Sequence, residues 1–144
     1  MIYTEMTIKA IKVAYEAHLG QLDYNDVPYI FHPYHLAEQM DDEVSCTVAL
    51  LHDVVEDTPI TLSDLEQIFP AQVVEIVRLL THDEGVDYFD YIRAIETNPI
   101  ATKVKLEDIQ HNSNEARSIG SNLTQAQLLY WKEKYAKAKE ILMS

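Results

Sequence analysis

Apolar residues recur every three or four positions along most of this chain, which is the repeat of one face of an α-helix. Ile8, Ile11 and Tyr15 follow this spacing in the first such segment, and Gly20 is a suitable stop after it. The pattern predicts helices over residues 3–19, 34–40, about 43–55, 88–96, 100–117 and about 125–142, with two more after Thr61 and Pro70. Residues 21–33 and 81–87 are predicted as loops.

Polar residues mark two of the predicted helix starts. Thr61 with Asp64, and Thr124 with Gln127, have the three-residue spacing of a capping box, in which each residue satisfies a free backbone N–H of the first turn. These pairs predict that one helix begins just after Thr61 and another just after Thr124.

Composition supports an all-α fold in one domain. The 144 residues suit a single domain, and a hydrophobic content of 47% is enough for a core. Only 3 glycines and 5 prolines occur, which argues against a turn-rich all-β fold and against disorder. We therefore expect residues 1–144 to form one helical bundle.

The net charge of −13 narrows the range of partners. An acidic surface repels nucleic acid and anionic membranes, so neither is an expected partner. No apolar run approaches the roughly 20 residues of a membrane span, and the N-terminus lacks a signal-peptide pattern. With a single cysteine, Cys46, no internal disulfide can form, and we expect a cytoplasmic protein. A small anionic substrate is still compatible with this net charge, because a bound metal and a few lysines can make the electrostatic potential inside a pocket positive.

The segment LLHDVVEDTPIT, residues 50–61, places four ionisable residues close together near predicted core positions. Glu56 lies about one helical turn after His52, and Asp57 about one turn after Asp53. Charged groups are rarely buried without a partner that replaces their hydration. A cation bound between these side chains would supply that partner.

Two residues elsewhere can complete a metal site. His32 and Asp108 together with His52 and Asp53 offer two imidazoles and two carboxylates, a set that suits manganese, iron, zinc or magnesium. Each residue alone has a simpler interpretation, because an isolated histidine is commonly structural and an aspartate in a charged helix is commonly solvated. The prediction depends on the joint pattern. The other histidines, His18, His35, His82 and His111, are predicted to be structural or exposed.

Three stretches carry a family resemblance: PYIFHPYHLAEQM (28–40), ALLHDVVEDTPIT (49–61) and KVKLEDIQHN (103–112). At these residues the chain resembles the HD superfamily of metal-dependent phosphohydrolases, most closely the hydrolase domain of RelA/SpoT-type alarmone enzymes and its small stand-alone form. The resemblance covers about residues 5–117 and implies a single HD-domain helical bundle, with residues 124–142 as a C-terminal helix.

The resemblance implies a function and a set of site residues. The reaction would remove pyrophosphate from the 3′ position of guanosine 3′,5′-bis(diphosphate), a small phosphorylated nucleotide, with manganese as the usual metal. His32, His52, Asp53 and Asp108 match the metal ligands. Glu56 and Asp57 match the catalytic acidic pair, and Asn112 matches a nucleotide contact. Lys105 is a further candidate for the phosphates, with Lys103 and Arg117 near it in sequence, and Tyr24 is a candidate to stack on the base.

The chain departs from the family pattern in two places. The loop GQLDYNDV (20–27) lacks the basic pair that normally flanks the base, and Ile109 replaces the basic residue after Asp108. These changes leave alternatives open: a generic HD phosphohydrolase or nucleotidase acting on another phosphate ester, a non-catalytic regulatory HD module, or a purely structural bundle with surface acids. The last helix either caps the core, as we expect, or forms an interface in a homo-oligomer.

Overall fold

A computed structural model describes all 144 residues, and it is built from helices alone. The helices are α1 (Glu5–Ala17), α2 (Phe31–Glu38), α3 (Glu43–Leu51), α4 (Val54–Asp57), α5 (Leu62–Glu66), α6 (Ala71–Leu80), α7 (Tyr88–Glu96), α8 (Pro99–Asn112) and α9 (Gln125–Leu142), with a 3-10 turn at Glu115–Ser118. No strand forms, and one antiparallel bridge between Leu22 and Pro28 closes the loop before α2. The all-α prediction is confirmed.

Helix α3 is the centre of the bundle. Every residue from Ser45 to Leu51 is buried, so the helix is surrounded on all sides. It packs against α1, α2, α6 and α8. A helix that is apolar on all sides is typical of a protein interior. Because His52 directly follows the last residue of α3, its side chain is buried in the interior as well.

The apolar stripe of the first helix is only partly buried, although Ile11 packs against the core. Ile8 and Tyr15 are 41% and 54% exposed, whereas Thr7, Ala10 and Ala14 are buried. Helix α1 packs against α3, and small buried side chains on α1 permit a close approach of neighbouring helices. The buried face of α1 is therefore centred on its small residues, and Ile8 and Tyr15 lie about 100° round the helix from Thr7 and Ala14.

The local capping signals correctly predict where helices begin. Thr61 and Asp64 form a capping box at the start of α5, and Thr124 and Gln127 form one at the start of α9. Pro70 is the residue before α6 rather than part of its first turn. The predicted helix over 100–117 ends earlier, at Asn112, and the 3-10 turn follows.

The C-terminal helix lies on the outside of the bundle. Of its residues only Ala138 and Leu142 are buried, and it packs against α7 and α8. None of the helices is long and apolar enough to cross a membrane.

Candidate active site

A break between two helices brings His52 and Asp53 to one point. The predicted helix over 43–55 is in fact two helices, with His52 ending α3 and Asp53 preceding α4. Asp53 has φ −106° and ψ 0°, which turns the chain at this point. Neither glycine nor proline marks the break, so the sequence pattern does not reveal it. As a result both side chains reach the same site.

Two other helices complete the cluster. His32, predicted in a loop, lies in the first turn of α2, and Asp108 lies on α8. Nε2 of His32 is 2.9 Å from Oδ1 of Asp108 and 3.7 Å from Oδ2 of Asp53. Nε2 of His52 is 2.9 Å from Oδ2 of Asp53 and 3.6 Å from Oδ1 of Asp108. The structure thus brings together all four residues predicted as metal ligands.

The donor set fits a divalent cation. Ligands about 2.1 Å from a metal and at right angles to each other are about 3 Å apart. The two 2.9 Å distances match this spacing, and the 3.6 and 3.7 Å distances are longer. Two imidazole nitrogens and two carboxylate oxygens suit a transition metal. Nε2 of His52 is buried and has no aligned hydrogen-bond partner, although Asp53 is near. A bound cation would satisfy that nitrogen.

Hydrogen bonds on the far side of both rings orient them toward the site. Nδ1 of His52 lies 2.6 Å from the carbonyl oxygen of Ala49, which can only accept, so Nδ1 carries the proton. Nδ1 of His32 lies 2.7 Å from Nδ1 of His111. In a neutral His52 ring Nε2 is then free to offer its lone pair to a metal. His32 offers Nε2 in the same way in the tautomer in which its Nδ1 donates to His111, in place of the 2.9 Å hydrogen bond between its Nε2 and Asp108.

Buried charges around the cluster stabilise one another. Burial acts to raise the pKa of Asp108, but the Lys105 ammonium, 2.7 Å from Oδ2, holds it well below its usual value. Burial likewise opposes ionisation of Asp53, yet the charge of the adjacent His52, whose ring takes up a second proton when no metal is bound, holds the pKa of Asp53 at about 2. Both aspartates are therefore carboxylates at neutral pH, and Lys105 occupies one oxygen of Asp108.

Tyr29 supports the cluster from the loop before α2. Its hydroxyl donates a 2.5 Å hydrogen bond to Oδ2 of Asp53 and lies 3.4 Å from Oδ2 of Asp57. Burial, followed by the charge of Asp53, raises the pKa of this hydroxyl, so it remains a donor. Tyr29 was not among the predicted site residues, although it belongs to the PYIFHP stretch.

The acidic pair extends from the cluster into open space. A carboxylate oxygen each from Asp53, Glu56 and Asp57 lies within 4.8 Å of the others. Oε1 of Glu56 accepts a 2.6 Å hydrogen bond from the backbone N–H of His82. Burial raises the pKa of Glu56, and burial together with the charges of Asp53 and Glu56 raises the pKa of Asp57 to about 6. A group with such a pKa can take up and release protons near neutrality.

These carboxylates open into a cleft of about 630 Å³. Asp53, Glu56 and Asp57 line this cleft, and residues of α9, Lys134 and Lys137 among them, line it as well. A cleft of this volume accommodates a small organic ligand.

The remaining predicted residues divide between this cleft and its surroundings. Lys105 and Asn112 line the cleft, and Asn112 donates a 3.0 Å hydrogen bond to Asp108. Tyr24 lies outside it, in an adjoining cavity of about 170 Å³ that shares Asn112 with the cleft. There its ring centroid is 5.7 Å from that of Trp131.

Two cations considered for phosphate are engaged elsewhere. Lys103 pairs with Asp41. Arg117 lies 3.5 Å from Asp23 and donates to the backbone oxygen of His111. Neither lines the cleft.

Sequence reasoning missed several residues of the site. His111, predicted to be structural or exposed, is the hydrogen-bond partner of His32. Its position directly before Asn112 in the KLEDIQHN stretch was a usable signal. Lys134 and Lys137 gave no signal, because their place in the cleft depends on how α9 folds back against α7.

The family model described as the HD domain matches residues 10–117 of this chain. The matched segment contains all four residues of the His–Asp cluster and both residues of the acidic pair.

The names of the curated relatives share the hydrolysis of guanosine 3′,5′-bis(diphosphate), or (p)ppGpp. The chain is 43% identical over 89 residues to the bifunctional (p)ppGpp synthase/hydrolase SpoT of Escherichia coli K12, a match that covers 59% of this chain and 12% of that protein. It is 37% identical over 101 residues to the human guanosine-3′,5′-bis(diphosphate) 3′-pyrophosphohydrolase MESH1, covering 62% of this chain and 56% of that protein. The chain thus spans about an eighth of the bacterial relative and about half of the human one.

A solved structure matches nearly the whole chain. It is that of a metazoan orthologue of SpoT that hydrolyses ppGpp, with a TM-score of 0.80 and 25% identity over 99% of this chain and 88% of that one. The match includes the C-terminal helix, which lies beyond the segment matched by the family model.

Proposed function

Because the chain belongs to the HD domain family, we propose that it is a metal-dependent phosphohydrolase that removes pyrophosphate from the 3′ position of guanosine 3′,5′-bis(diphosphate). The observation that carries the proposal is the convergence of the four-residue His–Asp cluster with Glu56 and Asp57 in one cleft. The names of the relatives support the choice of substrate.

We propose a divalent cation, manganese by the family resemblance, held by Nε2 of His32 and His52 and by one oxygen each of Asp53 and Asp108. When bound, such a cation lowers the pKa of a water and polarises a phosphoryl oxygen. Tyr29 fixes the orientation of Asp53, and Lys105 holds the second oxygen of Asp108 away from the site.

In this proposal Glu56 and Asp57 orient the attacking water and receive its proton. The His82 N–H fixes Glu56 in the cleft. The raised pKa of Asp57, about 6, leaves it ionised at neutral pH yet basic enough to hold a proton during the reaction. Lys105 and Asn112 line the same cleft and would contact the phosphates and the nucleotide. Tyr24 in the adjoining cavity would stack on the base.

A second candidate is a phosphohydrolase acting on a different phosphate ester. The loop before α2 favours it, because Asp23 pairs there with Arg117 and the loop has no lysine or arginine of its own. A non-catalytic module is less well supported, because it assigns no function to the His–Asp cluster and the acidic pair.

We further propose that residues 1–144 form one HD domain, in which α9 completes the cleft. The partner would be a small phosphorylated nucleotide rather than nucleic acid, which the net charge of −13 repels. The place of action would be the cytoplasm, in keeping with a single cysteine that is free and buried.

The test is a hydrolysis assay on guanosine 3′,5′-bis(diphosphate) with added manganese, with Asp53→Ala as the inactive control. The proposal expects pyrophosphate release by the native protein and none by the variant. Stoichiometric metal without pyrophosphate release, together with hydrolysis of other phosphate esters, would move the assignment to the second candidate.

A further inference from the structure

The cleft contains cations that no carboxylate neutralises. Of its three lysines, Lys105 is paired with Asp108, whereas Lys134 and Lys137 take part in no ion pair. In a protein with a net charge of −13, two cations without an ion-pair partner in the cleft that holds Asp53, Glu56 and Asp57 suggest a site for an anionic group.

Aromatic side chains of α7 hold both ammonium groups in the cleft. Nζ of Lys134 lies 4.2 Å from the ring centroid of Tyr88, and Nζ of Lys137 lies 4.2 Å from that of Phe89. Contact with a ring face orients a cation but leaves its charge uncompensated, unlike a carboxylate partner. Both ammonium groups therefore remain available to an anion.

Lys134 also lies close enough to Lys105 and Glu56 to be affected by their charges. Burial and the charge of Lys105 lower its pKa, while the charge of Glu56 raises it. An anion bound between Lys105 and Lys134 would relieve the repulsion between these two cations.

We propose that Lys134 and Lys137 bind neighbouring phosphates of a diphosphate group, in the same cleft that holds the acidic pair. This inference rests on the proposed function and assigns the two lysines binding rather than chemistry. Because residues three apart on a helix are about 5–6 Å apart at Cβ, the two ammonium groups suit a diphosphate better than a single phosphate.

The test compares Lys134→Gln/Lys137→Gln with Lys12→Gln/Lys139→Gln in the manganese-loaded protein. The second variant removes the same charge from exposed positions outside the cleft. Titration calorimetry measures the affinity for inorganic pyrophosphate and for inorganic phosphate, and kinetics on guanosine 3′,5′-bis(diphosphate) separates KM from kcat.

We expect the cleft variant to bind pyrophosphate at least tenfold more weakly, with a larger loss than for phosphate. Its KM should rise by a similar factor while kcat changes less, and the control should stay within twofold. Lys134→Arg/Lys137→Arg should restore most of the affinity. If the glutamine variant melts early, Lys137→Gln alone provides the same comparison, because that side chain is exposed.

Pyrophosphate affinity within twofold of the native value in a folded cleft variant would overturn the inference. If the nucleotide is not hydrolysed at all, the proposed function fails, but the calorimetric comparison still decides the role of the lysines. Weakened pyrophosphate binding confined to the cleft variant then supports it, and equal binding in both variants refutes it.

Discussion

Replacing Asp57 by asparagine should stabilise the metal-free protein while it abolishes most of the activity. The folded structure raises the pKa of this carboxyl from an ordinary 3.8 to about 6, through burial and the charges of Asp53 and Glu56. The ionised form is therefore less favourable in the folded state than in the unfolded chain. Asparagine keeps the shape of the side chain and removes the unfavourable charge.

The magnitude follows from the shift in pKa. About two pKa units correspond to roughly 3 kcal/mol at 1.36 kcal/mol per unit. Because the Asp57 side chain is more than one-third exposed, solvent screening reduces this to about 1 kcal/mol. For a chain of this size, such a gain in the free energy of unfolding raises Tm by about 3 °C.

The raised pKa of Asp57 also determines how the stability gain of Asp57→Asn varies with pH. A carboxyl with a raised pKa destabilises the folded state fully above about pH 6, and the penalty disappears as pH falls toward 3.8. The advantage of Asp57→Asn should be complete at pH 7.5 and about half as large at pH 5.

The assay is thermal unfolding with a chelator present, with Asp83→Asn as the control. Asp83 is an exposed aspartate outside the cleft. An Asp57→Asn variant that melts at or below the native Tm at pH 7.5, or an equal gain for Asp83→Asn, would refute this reasoning.

Three further predictions follow from the same site. Glu56→Gln should retain stoichiometric metal by calorimetry but lose about 10²- to 10⁴-fold in kcat, because the carboxylate and not the packing is removed; loss of the metal would contradict this role. Tyr29→Phe, which removes the hydrogen bond to Asp53, should weaken metal binding about tenfold with little change in Tm, and unchanged affinity would count against it. Activity should fall below about pH 6 as Asp57 takes up a proton and protons compete with the metal for the imidazoles, and a flat profile from pH 5 to 8 would be inconsistent with both causes.

Local signals in the sequence predict the helices well. The capping boxes at Thr61 and Thr124 correctly predict two helix starts, because such hydrogen bonds involve only residues three apart. The break after Leu51 could not be predicted, since no glycine or proline causes it and the packing of α3 against four other helices decides where it ends.

Only part of the candidate site could be predicted from the sequence. The residues of the family motifs, His52 and Asp53 among them, could be read from the sequence, and the structure places them in contact. Lys134 and Lys137, by contrast, line the cleft only because of tertiary contacts of α9. Distances along the chain do not encode those contacts.

The shallow attachment of α9 separates access to the cleft from the integrity of the core. Only Ala138 and Leu142 of this helix are buried, whereas α3 is buried from Ser45 to Leu51. Detaching α9 therefore requires less free energy than unfolding the whole domain, and the cleft can open while the His–Asp cluster keeps its shape. Backbone amides of α9 should exchange with deuterium well before those of α3, and a ligand held against α9 should slow that exchange.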